Sequence, residues 1–154
     1  MRRRTLLQAA LLGALAPLRS MAATDEKLHI TVYKTPSCGC CHEWVAHLEK
    51  NGITVTTHDV PGTGPYRDRY GVPRALASCH TGVIEGYAIE GHVPAAEIKR
   101  LIAERPKARG LAVPGMPIGS PGMEVDGSRR DAFDVVLFDD AGMRKVYQHY
   151  DAQR

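Results

Sequence analysis

Between Leu28 and His58 the hydrophobic period switches twice, and that switch constrains the fold more than any other feature of the chain. Leu28, Ile30 and Val32 alternate with His29, Thr31 and Tyr33, the two-residue repeat of a strand with one buried face. Thr35-Pro36-Ser37 breaks the repeat. Cys41, Val45 and Leu48 then recur at helical spacing with Trp44 beside them, until Asn51-Gly52 stops the helix. Ile53 to His58 alternates again. A strand, a helix and a strand in so short a span imply a parallel pair joined by a right-handed crossover.

The rest of the chain adds elements to that start. Residues 59–72 carry Pro61, Gly62, Gly64, Pro65 and Gly71, which reads as a loop with one short helix. Cys79 to Glu85 and Tyr87 to Gly91 read as a hairpin turning at Glu85-Gly86. Pro94 opens a helix in which Ile98, Leu101 and Ile102 share a face, and Pro106 closes it. Lys107 to Asp131 is irregular, with five glycines and three prolines, and a loop of that length is commonly functional. Val135 to Phe138 and Arg144 to Tyr150 flank a turn at Asp139-Asp140-Ala141-Gly142 and predict a closing antiparallel hairpin. The expected fold class is α/β: a thioredoxin-like order of elements, with a mixed central sheet, flanking helices and an inserted hairpin.

The N-terminus belongs to export rather than to the fold. Arg2, Arg3 and Arg4 precede an apolar run from Leu6 to Leu18, and Ser20-Met21-Ala22-Ala23 offers small residues for a signal peptidase. The run is roughly a dozen residues, short of the ~20 that span a bilayer, so no membrane span is expected after signal removal. Arg3-Arg4-Thr5-Leu6-Leu7 also fits a twin-arginine signal loosely. Residues 1–22 are therefore expected to be a signal peptide and 23–154 one domain in the periplasm. Removing 1–22 takes out four of the 20 basic residues (Arg2, Arg3, Arg4 and Arg19) and none of the 17 acids, turning a formal charge of +3 into −1. No basic face remains to argue for nucleic acid.

Cys38-Gly39-Cys40-Cys41 carries the chemistry. A helix N-terminus concentrates partial positive charge, and a cysteine there is biased toward thiolate, the form that attacks disulfides and binds metals. Cys38 and Cys41 form a Cys-x-x-Cys pair, which alone would indicate a thiol–disulfide oxidoreductase with Cys38 as nucleophile and Cys41 as resolving thiol. Cys40 complicates such exchange and adds a donor to a metal site. Cys40 and Cys41 point about 100° apart around a helix axis, so bridging several soft ions suits them better than chelating one. Soft thiolate and thioether donors favour copper(I), with zinc as competitor. Cys79 is a further thiol, and Met116 a thioether on the long loop. Met123, His80 and His42 complete the candidates, although His80, His42 and His92 are read first as surface or hydrogen-bonding residues. Cys38 to His42 also spells the attachment motif of c-type haem. A strand-to-helix setting, few aromatics and the spare thiol at Cys40 argue against haem. Four cysteines in an exported chain otherwise predict two disulfides in one of three connectivities, such as 38–41 with 40–79.

Four segments in this order resemble the CopG-like family of periplasmic copper-resistance proteins. They are Tyr33-Lys34-Thr35-Pro36-Ser37-Cys38-Gly39-Cys40-Cys41; Val72-Pro73 with Ser78-Cys79-His80-Thr81; Gly86 to Ala95; and Val113 to Glu124. The resemblance covers nearly all of the chain after the signal. It implies a thioredoxin-like fold and a cysteine-bridged, multinuclear copper(I) cluster on Cys38, Cys40, Cys41 and Cys79. Met116 would stand beside the cluster, before a cis-proline at Pro117. The partners it implies are copper ions and other periplasmic copper-handling proteins, and it leaves a copper redox activity open.

Overall fold

The computed structural model describes residues 27–125, 127 and 129–153. The expected signal segment, 1–22, lies outside the described residues. Strand β1 (His29–Lys34), helix α1 (Gly39–Lys50) and strand β2 (Thr54–Asp59) form the opening unit, and β1 pairs with β2 in parallel, His29 opposite Thr54. Helix α2 (Gly64–Arg69) and a 3₁₀ turn (Arg74–Leu76) occupy the following loop. Strands β3 (His80–Ile84) and β4 (Tyr87–Glu90) make the hairpin, turning through Glu85 (φ 47°) and Gly86 (φ 86°). Two positive φ values in a two-residue turn match the twist of the flanking strands, which is why glycine serves at the second position. Helix α3 (Ala95–Glu104) leads to β5 (Gly110–Ala112), and β6 (Phe133–Phe138) pairs antiparallel with β7 (Arg144–Tyr150).

The seven strands form one mixed sheet in the order β2-β1-β3-β4-β5-β6-β7. The α/β class, the opening unit and both hairpins match the sequence reading. The long segment after Pro106 does not: it contains β5, which pairs in parallel with β4. Gly110, Leu111 and Ala112 are all buried, so no polar alternation marks them as a strand. No peptide bond among the described residues is cis, so Pro117 follows a trans bond, contrary to the expectation raised by the resemblance. Gly115, at φ 69°, turns the chain just ahead of it.

Helices α1 and α3 cover one face of the sheet. Trp44 and Leu48 from α1 and Ile98 and Leu101 from α3 pack with Ile30, Val32, Ile89, Leu111 and Val135 in a continuous apolar cluster. The loop before β3 covers the other face, where Val72 and Leu76 meet Ala88, Ala112 and Phe138. Trp44 is buried, and its indole N–H donates to the Val93 carbonyl at 2.8 Å. That bond ties the middle of α1 to the segment before α3. β7 is tied back to α3 by the Tyr150 hydroxyl donating to Glu97 Oε2 (2.7 Å) and by the Arg100 guanidinium lying 3.7 Å from the centre of the Tyr147 ring. Among the described residues no helix is long and apolar enough to cross a membrane.

β5 joins the sheet through a close backbone approach. A Cβ on Gly110 would stand 1.9 Å from the Ala88 carbonyl oxygen, a main-chain atom that cannot turn aside. Gly110→Ala is therefore expected to separate β4 from β5 and lower the unfolding free energy by about 2 kcal/mol or more, read as a shift of the urea midpoint.

Candidate metal centre

The cysteines meet because of strand register. β1 and β3 pair antiparallel with Lys34 opposite His80, so the last residue of β1 and the first of β3 lie at the same end of the sheet. Residues 35–38 turn through the Cys38 N–H bond to the Thr35 carbonyl (3.2 Å), and α1 begins directly after. Cys79, one residue before β3, faces that first turn. Cys38 is the N-cap of α1, no side chain caps the helix, and no acid stands in its first turn. The amides there remain open to stabilise negative sulfur.

Cys38 and Cys41 are joined in a disulfide across this first turn. Cys40 and Cys79 are unpaired, 3.9 Å apart, and Cys40 Sγ lies 3.6 Å from Cys38 Sγ. All four sulfurs fall within 4.8 Å of one another. Cys41 is fully buried and the other three are half-buried, so the cluster sits at the rim of the core. Of the pairings open to the sequence, 38–41 is formed, while 40–79 is a contact between two thiols.

A second group shares Cys79. His80 Nδ1 lies 3.3 Å and His92 Nε2 3.1 Å from Cys79 Sγ. The other nitrogen of His92 is 2.8 Å from the Pro121 carbonyl, which can only accept, so Nδ1 carries the proton and Nε2 turns its lone pair to the sulfur. His80 is packed between the Trp44 ring at 4.2 Å and the His92 ring at 5.1 Å, and its Nε2 is buried without a hydrogen-bond partner. One sulfur and two imidazole nitrogens, all within 4.8 Å of one another, are a donor set that fits copper or zinc. His92, expected as a surface or hydrogen-bonding residue, is buried, bonds the Pro121 carbonyl and stands beside the cluster. The hairpin carried the signal: pairing Thr81 with Glu90 about the turn at Glu85-Gly86 sets Cys79 opposite His92.

The loop after β5 covers the site. Gly115 N–H donates to the Ala77 carbonyl and Ser78 Oγ donates to the Gly115 carbonyl, fixing the loop beside Cys79. Further on, Gly122 (φ 85°) lies against α1, where a Cβ would come 2.6 Å from Trp44 N and 2.8 Å from Cys40 O. Met116 follows Gly115 on the surface, 53% exposed, and Met123 is half-buried one residue past Gly122. His42 is exposed on α1. Among the described residues His42 belongs to neither group of donors at the cluster.

An α/β chain that gathers four sulfurs and two imidazoles at one end of its sheet has the form of a metal-handling thiol protein. The family described as protein of unknown function DUF411 matches residues 76–123, which include Cys79, His80 and His92. Two solved structures, "Copper resistance protein copG" in Form 2 and Form 1, are similar to this chain at 50% and 49% identity. They align over 81% and 82% of this chain and 99% of their own length, each with a TM-score of 0.77. Comparison with curated protein sequences gives no match. This chain belongs to the CopG-like family.

Burial controls protonation at the site. Burial pushes the Cys79 thiol up to about 12, with the neighbouring Cys40 adding to the rise, so an incoming cation must displace a proton to bind thiolate. Burial holds His80 down at about 3, helped by His92 alongside, and burial lowers His92 as well. Both rings are therefore neutral at pH 7 and able to donate lone pairs. Between pH 6.5 and about 3 the unfolded chain binds a proton at residue 80 that the folded chain refuses, so the stabilisation is complete above pH 6.5 and falls on acidification. Urea unfolding of the metal-free protein should lose about 1.4 kcal/mol per pH unit across this window from His80 alone. His80→Phe is expected to flatten the slope.

Proposed function

We propose that this chain is a periplasmic copper(I)-binding protein of copper tolerance, built on a thioredoxin-like unit. In this reading Cys38, Cys40, Cys41 and Cys79 hold more than one ion through bridging sulfurs. The observation that carries the reading is the meeting of four sulfurs within 4.8 Å in a chain 50% identical to a copper resistance protein. Thiolate bridges suit copper(I), which accepts low coordination numbers and soft donors. With the Cys38–Cys41 disulfide formed, only Cys40 and Cys79 carry thiols, so full loading requires that bond to be reduced first. His92 and His80 would supply nitrogen to an ion on Cys79. Met116 and Met123 would offer thioethers from the covering loop, and export would follow from the signal in residues 1–22. Other periplasmic copper-handling proteins would be the partners that deliver or remove copper.

A second reading is favoured by one observation, the disulfide across the first turn of α1. It makes Cys38 and Cys41 the working pair of a thiol–disulfide oxidoreductase. Cys40 separates the two. Anaerobic titration of the reduced protein with copper(I), against a chromogenic chelator, is expected to give more than one ion per chain. Cys40→Ser is expected to lower that number, and zinc is expected to compete weakly. One ion per chain, unchanged by Cys40→Ser, together with full insulin reduction by that variant, would replace the copper reading with the oxidoreductase one.

A further inference from the structure

Behind Cys79 the partly exposed Arg67 meets the buried Glu90 carboxylate, a contact that no metal-binding role explains. Glu90, at the end of β4, is fully buried. Its two carboxylate oxygens are shared across the Cys79-His80 step: Oε1 accepts the Ser78 N–H at 2.7 Å, and Oε2 accepts the Thr81 hydroxyl at 2.7 Å. Arg67, reaching over from α2, places Nη1 3.1 Å from the Ser78 carbonyl, 2.7 Å from Thr63 Oγ1 and 3.6 Å from Glu90 Oε1. Ser78 therefore has its N–H held by the carboxylate and its C=O held by the guanidinium. Gly91 allows this fit, because a Cβ there would stand 2.5 Å from Ser78 Oγ and 2.5 Å from the Val113 carbonyl.

A buried carboxylate is costly unless its oxygens are occupied and its charge is paired. Both Glu90 oxygens accept hydrogen bonds from the segment that carries Cys79, with Arg67 beside them, while burial still raises the carboxyl above its usual range. The ladder bonds of β3 begin only at His80, so they do not by themselves fix the residue before the strand. We infer that Arg67 and Glu90 are positioning residues that set Cys79 Sγ against Cys40 and so decide whether the fourth thiol joins the other three on copper. The inference deepens the copper reading and rests on it. The pair acts through the main chain of Ser78 and the Thr81 hydroxyl, on either side of Cys79-His80. Its loss should detach Cys79 from the shared site while leaving Cys38, Cys40 and Cys41 on α1 undisturbed.

The test uses reduced protein and copper(I) alone, with wild type, Cys79→Ser, Glu90→Gln, Arg67→Met and Arg67→Lys titrated anaerobically against a chromogenic chelator. Urea unfolding of each metal-free protein is measured in parallel. Glu90→Gln and Arg67→Met are expected to fall to the copper number of Cys79→Ser, with the last ion held at least tenfold more weakly, and to share its copper–thiolate absorption spectrum. Arg67→Lys, which keeps the charge, is expected to restore part of the capacity. A merely structural pair would change the urea midpoint and leave ion number and spectrum at wild-type values, and that result would overturn the inference. Arg67 is on a half-exposed loop helix, so Arg67→Met decides the matter if Glu90→Gln does not fold. Should wild type itself take up no more than one ion, the copper reading fails. Wild-type capacity retained in both variants sinks only the positioning role.

Discussion

The antiparallel register of β1 and β3 is the constraint on which the site depends. With Lys34 opposite His80, the chain leaves β1 and enters β3 at one end of the sheet. A three-residue turn after Lys34 then delivers a helix start and its cysteines to the residue preceding β3. Slipping the pair by one residue would carry the inward-facing Ile30 and Val32 to the opposite face. The same slip would move Cys79 away from α1. The apolar core that packs α1 and α3 onto the sheet therefore also enforces the meeting of sulfurs, and core and site are specified by one set of side chains.

The geometry of the sulfurs follows from where each begins. Cys38, Cys40 and Cys41 belong to a single helical turn, so their mutual placement is local. Cys41 turns inward to full burial, while Cys40 turns toward Cys79. The long loop after β5 closes over this turn with main chain at Gly122, the one residue type that fits so near the Trp44 and Cys40 backbones. The rim of the site is thus largely backbone, and its side-chain chemistry is concentrated in sulfur and imidazole.

Much of this was legible in the order of residues because much of it is local. Period changes gave the opening β-α-β unit, Glu85-Gly86 gave the hairpin, and three thiols in four residues announced the chemistry. β5 was hidden because Gly110-Leu111-Ala112 is buried on both faces and carries no alternation. His92 reads first as a surface or hydrogen-bonding residue, and it does bond the Pro121 carbonyl, but its proximity to Cys79 depends on the hairpin register carried to the strand ends. Arg67 and Glu90 gave no signal: a loop arginine and a strand glutamate acquire meaning only when tertiary packing brings both to one peptide unit. Met116, plausible by atom type, stands on the surface of the covering loop.

The chain has a single tryptophan, and it lies against His80, whose ring abuts His92. Adjoining rings, tilted and then edge-on, thus lead from the indole through His80 to His92 beside the sulfurs. Whatever occupies the imidazoles changes the electric field and the quenching felt by that chromophore. The protein consequently carries its own optical gauge, able to follow events at the rim in solution without any attached label.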